Sequence, residues 1–143
     1  MPKEALTQIQ NSAHTDADIH ILMAEDDAIN RKVLLKMLGK MGYSADVAEN
    51  GIEVLKALER REYDLILMDI QMPEMDGITA TMEIRKIWPL SPKIIAVTAY
   101  ALEGDRERCL EAGMDEYLTK PVKMEDLRAA IQYQYYEAQK TKR

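Results

Sequence analysis

The chain has one cysteine, two histidines and no phenylalanine among its 143 residues. A single cysteine, Cys109, excludes an internal disulfide and gives no sign of an oxidising compartment, so we expect a cytoplasmic setting. No apolar stretch is long enough to span a bilayer, and residues 1–18 lack the apolar core of a signal peptide. We therefore expect no direct contact with a membrane.

Basic residues are also too few to suggest a nucleic-acid partner. The chain has 19 Lys and Arg against 25 Asp and Glu, a formal net charge of −6, whereas a nucleic-acid-binding surface is normally basic. Apolar residues at 47% and charged residues at 31% are ordinary for one globular domain with a real core. We divide the chain into a linker or disordered segment (1–18), a folded domain (19–138) and a basic tail (139–143).

Strand-like and helix-like patterns alternate along the domain. Short, mostly apolar runs predict strands at 19–24, 43–48, 65–68, 94–97 and 115–118. Helical spacing of apolar residues predicts helices at 29–41, 52–58, 78–87, 101–112 and 124–138. This alternation indicates an α/β fold, with a five-stranded parallel sheet and helices on both faces. Ligands bind such sheets beyond the carboxyl ends of the strands.

Carboxylates stand at two of these strand ends. The first strand runs into Glu25, Asp26 and Asp27, and the third runs into Asp69. Like charges that are crowded together cost free energy unless a cation or a proton offsets them. Oxygen ligands favour a hard cation such as Mg²⁺. The sequence therefore predicts a magnesium site with one carboxylate left free to react.

Two other strand ends carry groups that suit phosphoryl chemistry. Thr98 follows the fourth strand and Lys120 the fifth; with Mg²⁺ they would stabilise the equatorial oxygens of a phosphoryl group in transfer. A carboxylate such as Asp69 can act as the nucleophile and form an aspartyl-phosphate. Each residue also has a simpler interpretation, because Asp27 is well placed to cap the first helix, Thr98 the fourth, and Lys120 could be a surface lysine.

Four segments together resemble the receiver domain of two-component response regulators. They are the Asp26-Asp27 pair, the segment 67–77 (Leu-Met-Asp-Ile-Gln-Met-Pro-Glu-Met-Asp-Gly), the segment 95–99 (Ile-Ala-Val-Thr-Ala) and the Lys120-Pro121 pair. The resemblance covers about residues 19–136. It implies a flavodoxin-like doubly wound (βα)5 fold with strand order 2-1-3-4-5. It also implies a protein that catalyses its own phosphorylation and dephosphorylation and is not a conventional turnover enzyme.

The resemblance assigns the metal site. Asp69 becomes the phosphoacceptor, and Asp26, Asp27, Asp69 and the backbone carbonyl of Gln71 become the ligands of Mg²⁺, for which Mn²⁺ could substitute. We expect Glu25 to lie outside this site, because the alternation of side chains along a strand should turn it away from Asp26.

The resemblance also assigns the residues that respond to the phosphoryl group. Thr98 and Lys120 would contact its oxygens, and Tyr117 would be the switch aromatic that turns inward as the Thr98 hydroxyl moves. The peptide bond before Pro121 would be cis.

Two further positions would tune the lifetime of the phosphate. Gln71 and Tyr100, each two residues beyond a strand-end site residue, flank the path of an attacking water in the family.

The amino-acid sequences of segments 68–73 and 98–105 most resemble those of the receivers of hybrid sensor histidine kinases. Residues 1–18 would then end a linker from a kinase, and a membrane sensor kinase would tether the domain to the membrane. The phosphoryl donor would be a phosphohistidine of a histidine kinase or a histidine phosphotransfer domain. A stand-alone single-domain regulator is the alternative. Tyr133, Tyr135 and Tyr136 on the last helix could form part of a homodimer or partner surface, although packing of the helix on its own sheet explains Tyr135 equally well.

Two rival functions are weaker. A phosphatase of the haloacid dehalogenase type would need a second Asp two residues after the nucleophile, where this chain has Gln71. A flavodoxin-like binding module without covalent chemistry would need a loop that cradles phosphate after the first strand. Asp26 and Asp27 give that loop the wrong charge.

Overall fold

The computed structural model describes residues 19–99 and 102–141. Its strands are β1 (Ile21–Ala24), β2 (Ala45–Ala48), β3 (Leu65–Met68), β4 (Lys93–Thr98) and β5 (Glu116–Thr119). Its helices are α1 (Ala28–Lys40), α2 (Gly51–Arg60), α3 (Gly77–Ile87), α4 (Asp105–Ala112) and α5 (Met124–Thr141). The strands are parallel and lie in the order β2-β1-β3-β4-β5, which confirms the predicted fold.

Some element boundaries differ from those predicted. The second strand begins at Ala45 instead of 43, and α4 begins at Asp105 instead of 101. The later start of α4 has a local cause, because Leu102 and Asp105 close a turn: the Asp105 N–H donates to the Leu102 carbonyl at 3.0 Å, and the Leu102 N–H donates to the Asp105 carboxylate at 3.1 Å. Gly104, with φ +87°, lies inside this turn. The predicted linker, 1–18, and residues 142–143 lie outside the described residues.

Apolar side chains cover both faces of the central strands. Alternate residues of β1, β3 and β4 point to opposite faces, so that Leu22 and Ile66 enter one core and Met23 and Leu67 the other. The single cysteine, Cys109, is buried in the first of these cores. Burial on both faces is typical of a doubly wound parallel sheet, and it fixes the strand ends that carry the polar residues.

The first three helices begin close to those strand ends, and each has an N-cap residue whose side chain accepts a hydrogen bond. Asp27, Asn50 and Asp76 each accept a hydrogen bond from the backbone N–H three residues further on, which satisfies a donor that the helix leaves free. Within the described part of the chain, no helix combines the length and apolar character needed to cross a bilayer.

Candidate functional site

The ends of β1 and β3 bring three carboxylates together. Ala24 and Met68 are partners in the ladder, and the Asp69 N–H extends it by donating to the Ala24 carbonyl at 3.0 Å. Oxygens of Glu25, Asp26 and Asp69 lie within 4.8 Å of one another. Glu25 is 1% exposed and Asp69 8%, whereas Asp26 is exposed. The site is thus a carboxylate cluster that opens to solvent on one side.

Glu25 belongs to this cluster, so the prediction that it points away was wrong. The strand β1 ends at Ala24, and alternation within the strand does not set the direction of the next side chain. One carboxylate oxygen of Glu25 accepts from the Asp27 N–H at 3.2 Å. The other accepts from the Lys120 ammonium at 2.6 Å.

Asp27 instead makes the contact that its alternative interpretation predicted. Its carboxylate accepts from the Asn30 N–H at 2.9 Å and caps α1. Among the described residues, the carboxylate cluster does not include it. Its role as a metal ligand stays a prediction.

Lys120 reaches the cluster from the edge strand β5. Its backbone N–H donates to the Thr98 carbonyl at 2.8 Å, and the Lys120–Pro121 peptide bond is cis. The ammonium nitrogen lies 2.6 Å from Glu25 Oε1 and 3.5 Å from Asp69 Oδ2. The Lys120 ammonium therefore forms ion pairs with two buried carboxylates.

The surroundings of Asp69 disfavour its charged form. Burial and the negative charge of Glu25 raise the pKa of Asp69 to about 6, although Lys120 and a hydrogen bond from the Gln71 N–H act in the opposite direction. The site therefore carries more negative charge than Lys120 offsets.

A hard divalent cation fits this donor set. The donors are all oxygens that lie within 4.8 Å of one another, and oxygen ligands are those that Mg²⁺ prefers. A bound cation would also relieve the repulsion that raises the pKa of Asp69.

The loop after β3 holds Asp69 from the other side. The Gln71 N–H donates to Asp69 Oδ1 at 3.3 Å, and Gln71 is otherwise exposed. The Gly77 N–H donates to the Ile70 carbonyl at 2.8 Å. A Cβ at Gly77 would lie 2.2 Å from the Asp69 carbonyl oxygen, so only glycine lets α3 begin this close to the site. Sequence reasoning missed this role, because it considered Gly77 only as the last residue of the segment 67–77.

The predicted switch residues lie on β4 and β5. Thr98 ends β4, is fully buried and pairs with Thr119 in the ladder. Tyr117 lies opposite Ala96 and packs, half-buried, against the first core. Burial raises the pKa of the Tyr117 hydroxyl, and the charge of Asp105 raises it further. The switch role stays a prediction, and Tyr100 lies outside the described residues.

Residues 21–132 match the family of response regulator receiver domains, and the chain belongs to this family. It is a receiver domain of two-component signalling, homologous to the receivers of hybrid sensor histidine kinases, as the sequence predicted.

Two similar proteins are histidine kinases. The chain is 41% identical over 142 residues to Histidine protein kinase 1 of Candida albicans, covering 92% of this chain and 6% of that protein. It is 37% identical over 130 residues to the sensor histidine kinase RcsC of Escherichia coli K12, covering 91% and 14%. The chain thus spans 6% and 14% of the lengths of these curated relatives.

Solved receiver domains share the fold. The receiver of the sensor histidine kinase PA1611 from Pseudomonas aeruginosa PAO1 is 43% identical, with a TM-score of 0.76 over 83% of this chain and 98% of that one. Its structure has a magnesium ion coordinated in the active-site cleft. A CheY-like receiver domain protein from Methanospirillum hungatei is 32% identical, with a TM-score of 0.78 over 86% and 98%.

Proposed function

We propose that the chain accepts a phosphoryl group from a phosphohistidine onto Asp69 in a Mg²⁺-dependent reaction. The observation that carries this proposal is the position of the Asp69 carboxylate, which lies among two further carboxylates and 3.5 Å from the Lys120 ammonium. A nucleophile that faces a cation and a metal-binding oxygen cluster is what phosphoryl transfer needs.

The metal ligands would be Asp26, Asp69 and the backbone carbonyl of Gln71, with Glu25 at the position that the family resemblance assigned to Asp27. Asp27, which caps α1, stays the alternative ligand. When bound, Mg²⁺ would offset the carboxylate charge and polarise the phosphoryl oxygens. The magnesium-bound receiver of PA1611 supports this ligand chemistry. Mn²⁺ would substitute, since it accepts the same oxygen ligands.

The protein's own groups perform the transfer. An oxygen of Asp69 attacks phosphorus, and the bond between phosphorus and the donor's imidazole nitrogen breaks, its electron pair staying on that nitrogen. Lys120 pairs with one phosphoryl oxygen while the Thr98 hydroxyl donates to another. Water later attacks the acyl-phosphate, and Gln71 and Tyr100 would tune how fast this happens.

The partner would be a histidine kinase or a histidine phosphotransfer domain in the cytoplasm. The similarity to hybrid kinases supports an origin as one domain of such a kinase, and a stand-alone regulator is the alternative. Tyr117 would turn inward after phosphorylation. Tyr133 and Tyr136 are exposed on α5 and would contribute to a homodimer surface.

Phosphorylation with a small donor tests the acceptor. We expect acetyl phosphate with Mg²⁺ to add one phosphoryl group per chain by intact mass, and chelation of the metal to prevent it. Asp69→Asn should remove the labelling. Asp76→Asn is the matched control, because asparagine also caps a helix and α3 should be unaffected. An acyl-phosphate mapped to another residue would overturn the assignment.

A further inference from the structure

A cleft of about 380 Å³ lies at the amino end of the sheet, opposite the carboxylate cluster. It is lined by residues that precede strands β3 and β4 and by residues late in α2 and α5. Asp64 precedes β3 and Asp69 follows it, so the strand separates the cleft from the phosphoacceptor by about 16 Å. The cleft has the size of a site for a small molecule, and the proposed phosphoryl transfer does not use it.

Three aromatic side chains line this cleft. Tyr63 is 8% exposed, and Trp88 and Tyr135 are half-buried. The Tyr63 ring is held in place, because its hydroxyl donates to Asp46 Oδ2 at 2.5 Å. The face of an aromatic ring carries partial negative charge, so walls of this kind favour a flat ring or a cation as the ligand.

The charged residues of the cleft also favour a cation. The carboxylates of Glu62 and Asp64 line it together with one guanidinium, that of Arg61. Arg61 already has an anionic partner, because it pairs with Asp46 Oδ2 at 2.9 Å, and its Cζ lies 5.5 Å from the centre of the Tyr63 ring. The charge that a ligand can still offset in the cleft is therefore negative.

Glu62 is the carboxylate that is most available to a ligand. Among the residues that the structure describes, its side chain takes part in no hydrogen bond or ion pair. Asp64 differs, because its Oδ2 accepts from the His20 N–H at 2.8 Å. Asp64 thus contributes its charge to the cleft, whereas Glu62 can also contribute a direct contact.

We propose that this cleft binds a small aromatic amine, a molecule with one ring and a positively charged ammonium group. The ring would pack against Tyr63, Trp88 and Tyr135, and the ammonium would pair with Glu62 close to Asp64. A ligand that carries a carboxylate would meet like charge instead. The inference does not depend on the phosphorylation of Asp69.

Fluorescence of Trp88 tests the chemical class of the ligand, because this residue is the only tryptophan in the chain. The protein would be titrated with 2-phenylethylamine, 2-phenylethanol and phenylacetate, which have similar shapes and are a cation, a neutral molecule and an anion. We expect the amine to bind about fivefold more tightly than the alcohol, and phenylacetate to bind more weakly than both. Equal affinities, a preference for phenylacetate or no saturable binding of the amine would overturn the proposal.

A matched pair of substitutions separates the charge of the cleft from the net charge of the chain. Glu62→Gln should weaken binding of the amine about threefold and leave the affinity for the alcohol unchanged. Glu59→Gln is the control, because it removes the same charge from an exposed residue of α2 that does not line the cleft. Equal losses of amine affinity in the two variants would assign the preference to net charge and overturn the proposed site.

The carboxylate cluster at the other end of the sheet would also attract an amine, so the place of binding needs its own test. In ¹H–¹⁵N NMR spectra, we expect 2-phenylethylamine to shift the backbone signals of His20 and Asp64 and the indole signal of Trp88. The backbone signal of Asp69 should stay where it is. Shifts centred on Asp69 would place the amine in the carboxylate cluster and overturn the proposal.

Discussion

The two ends of the sheet hold buried or partly buried ions in different ways. At the amino end, the Asp115 carboxylate accepts from Arg85 at 3.0 Å and from the Ile94 N–H at 2.8 Å, with Lys93 at 3.8 Å. Arg85 also donates to the backbone carbonyls of Gly113 and Trp88. In this cluster two basic side chains, Arg85 and Lys93, face the one carboxylate of Asp115. The hydrogen-bond donors and acceptors named above are paired with one another.

At the carboxyl end the balance is reversed. Three carboxylates converge, and among the described residues Lys120 is the cation that forms ion pairs with Glu25 and Asp69. The difference teaches how to tell the two kinds of ion cluster apart. A balanced cluster joins parts of the fold, whereas uncompensated charge with a shifted pKa marks a site built for a ligand.

The largest expected effect tests whether the carboxyl end tolerates a change of volume. In Gly77→Ala, the added Cβ would lie 2.2 Å from the Asp69 carbonyl oxygen, so α3 must shift, and we expect a loss of about 3 kcal/mol in the free energy of unfolding. Gly39→Ala is the matched control, because nothing lies within 4 Å of its Cβ and alanine stabilises a helix interior by roughly 0.5–1 kcal/mol. Urea denaturation measures both. Equal stability of the two variants would contradict the close packing.

The next effect tests the balanced cluster at the amino end. Arg85→Met leaves the partly buried Asp115 without its closest side-chain cation and the carbonyls of Gly113 and Trp88 without a donor. We expect a loss of about 2–3 kcal/mol. Arg61→Met is the control, since the Arg61–Asp46 pair is about half exposed and such pairs contribute under about 1 kcal/mol. If both substitutions cost the same, the amino-end cluster is not a structural one.

The smallest effect has the opposite sign and comes from the carboxyl end. The pKa of Asp69 is raised to about 6, above the unfolded value of about 3.9, so the folded protein binds this proton more tightly. Without metal, this group's contribution to stability should therefore decline as pH rises from about 4 to 6. At pH 7 we expect Asp69→Asn to stabilise the metal-free protein by about 1 kcal/mol, allowing for screening by solvent.

Denaturation in EDTA at pH 4 and pH 7 checks this prediction. The difference between Asp69→Asn and the unchanged protein should be largest at pH 7 and nearly absent at pH 4. A variant that is less stable than the unchanged protein at pH 7 would show that the Asp69 charge supports the fold.

The sequence predicted which residues meet at the carboxyl end of the sheet, but it did not predict the direction of every side chain there. The placing of Asp26, Asp69 and Lys120 at one edge followed from the rule that the ends of parallel strands converge there. The direction of Glu25 was predicted wrongly although the predicted first strand ends at Ala24, as it does in the structure. The alternation of side chains holds only within a strand and does not set the direction of the residue that follows it.

The sequence pattern could not predict contacts between residues that are far apart in the chain, for a different reason. Arg85 and Asp115 are 30 residues apart, and neither lies in a motif that would pair them. The start of α4 at Asp105 likewise depends on a side chain that closes its own turn, which the helical spacing of apolar residues does not report.

The burial of Cys109 has a practical consequence. It is the only cysteine in the chain, it is inaccessible, and burial raises the pKa of its thiol, so it should react slowly with alkylating reagents. A cysteine introduced at an exposed position beside Tyr117 would then be the one that a maleimide dye labels. The natural background thus allows movements around the phosphorylation site to be followed by fluorescence without first removing a native thiol.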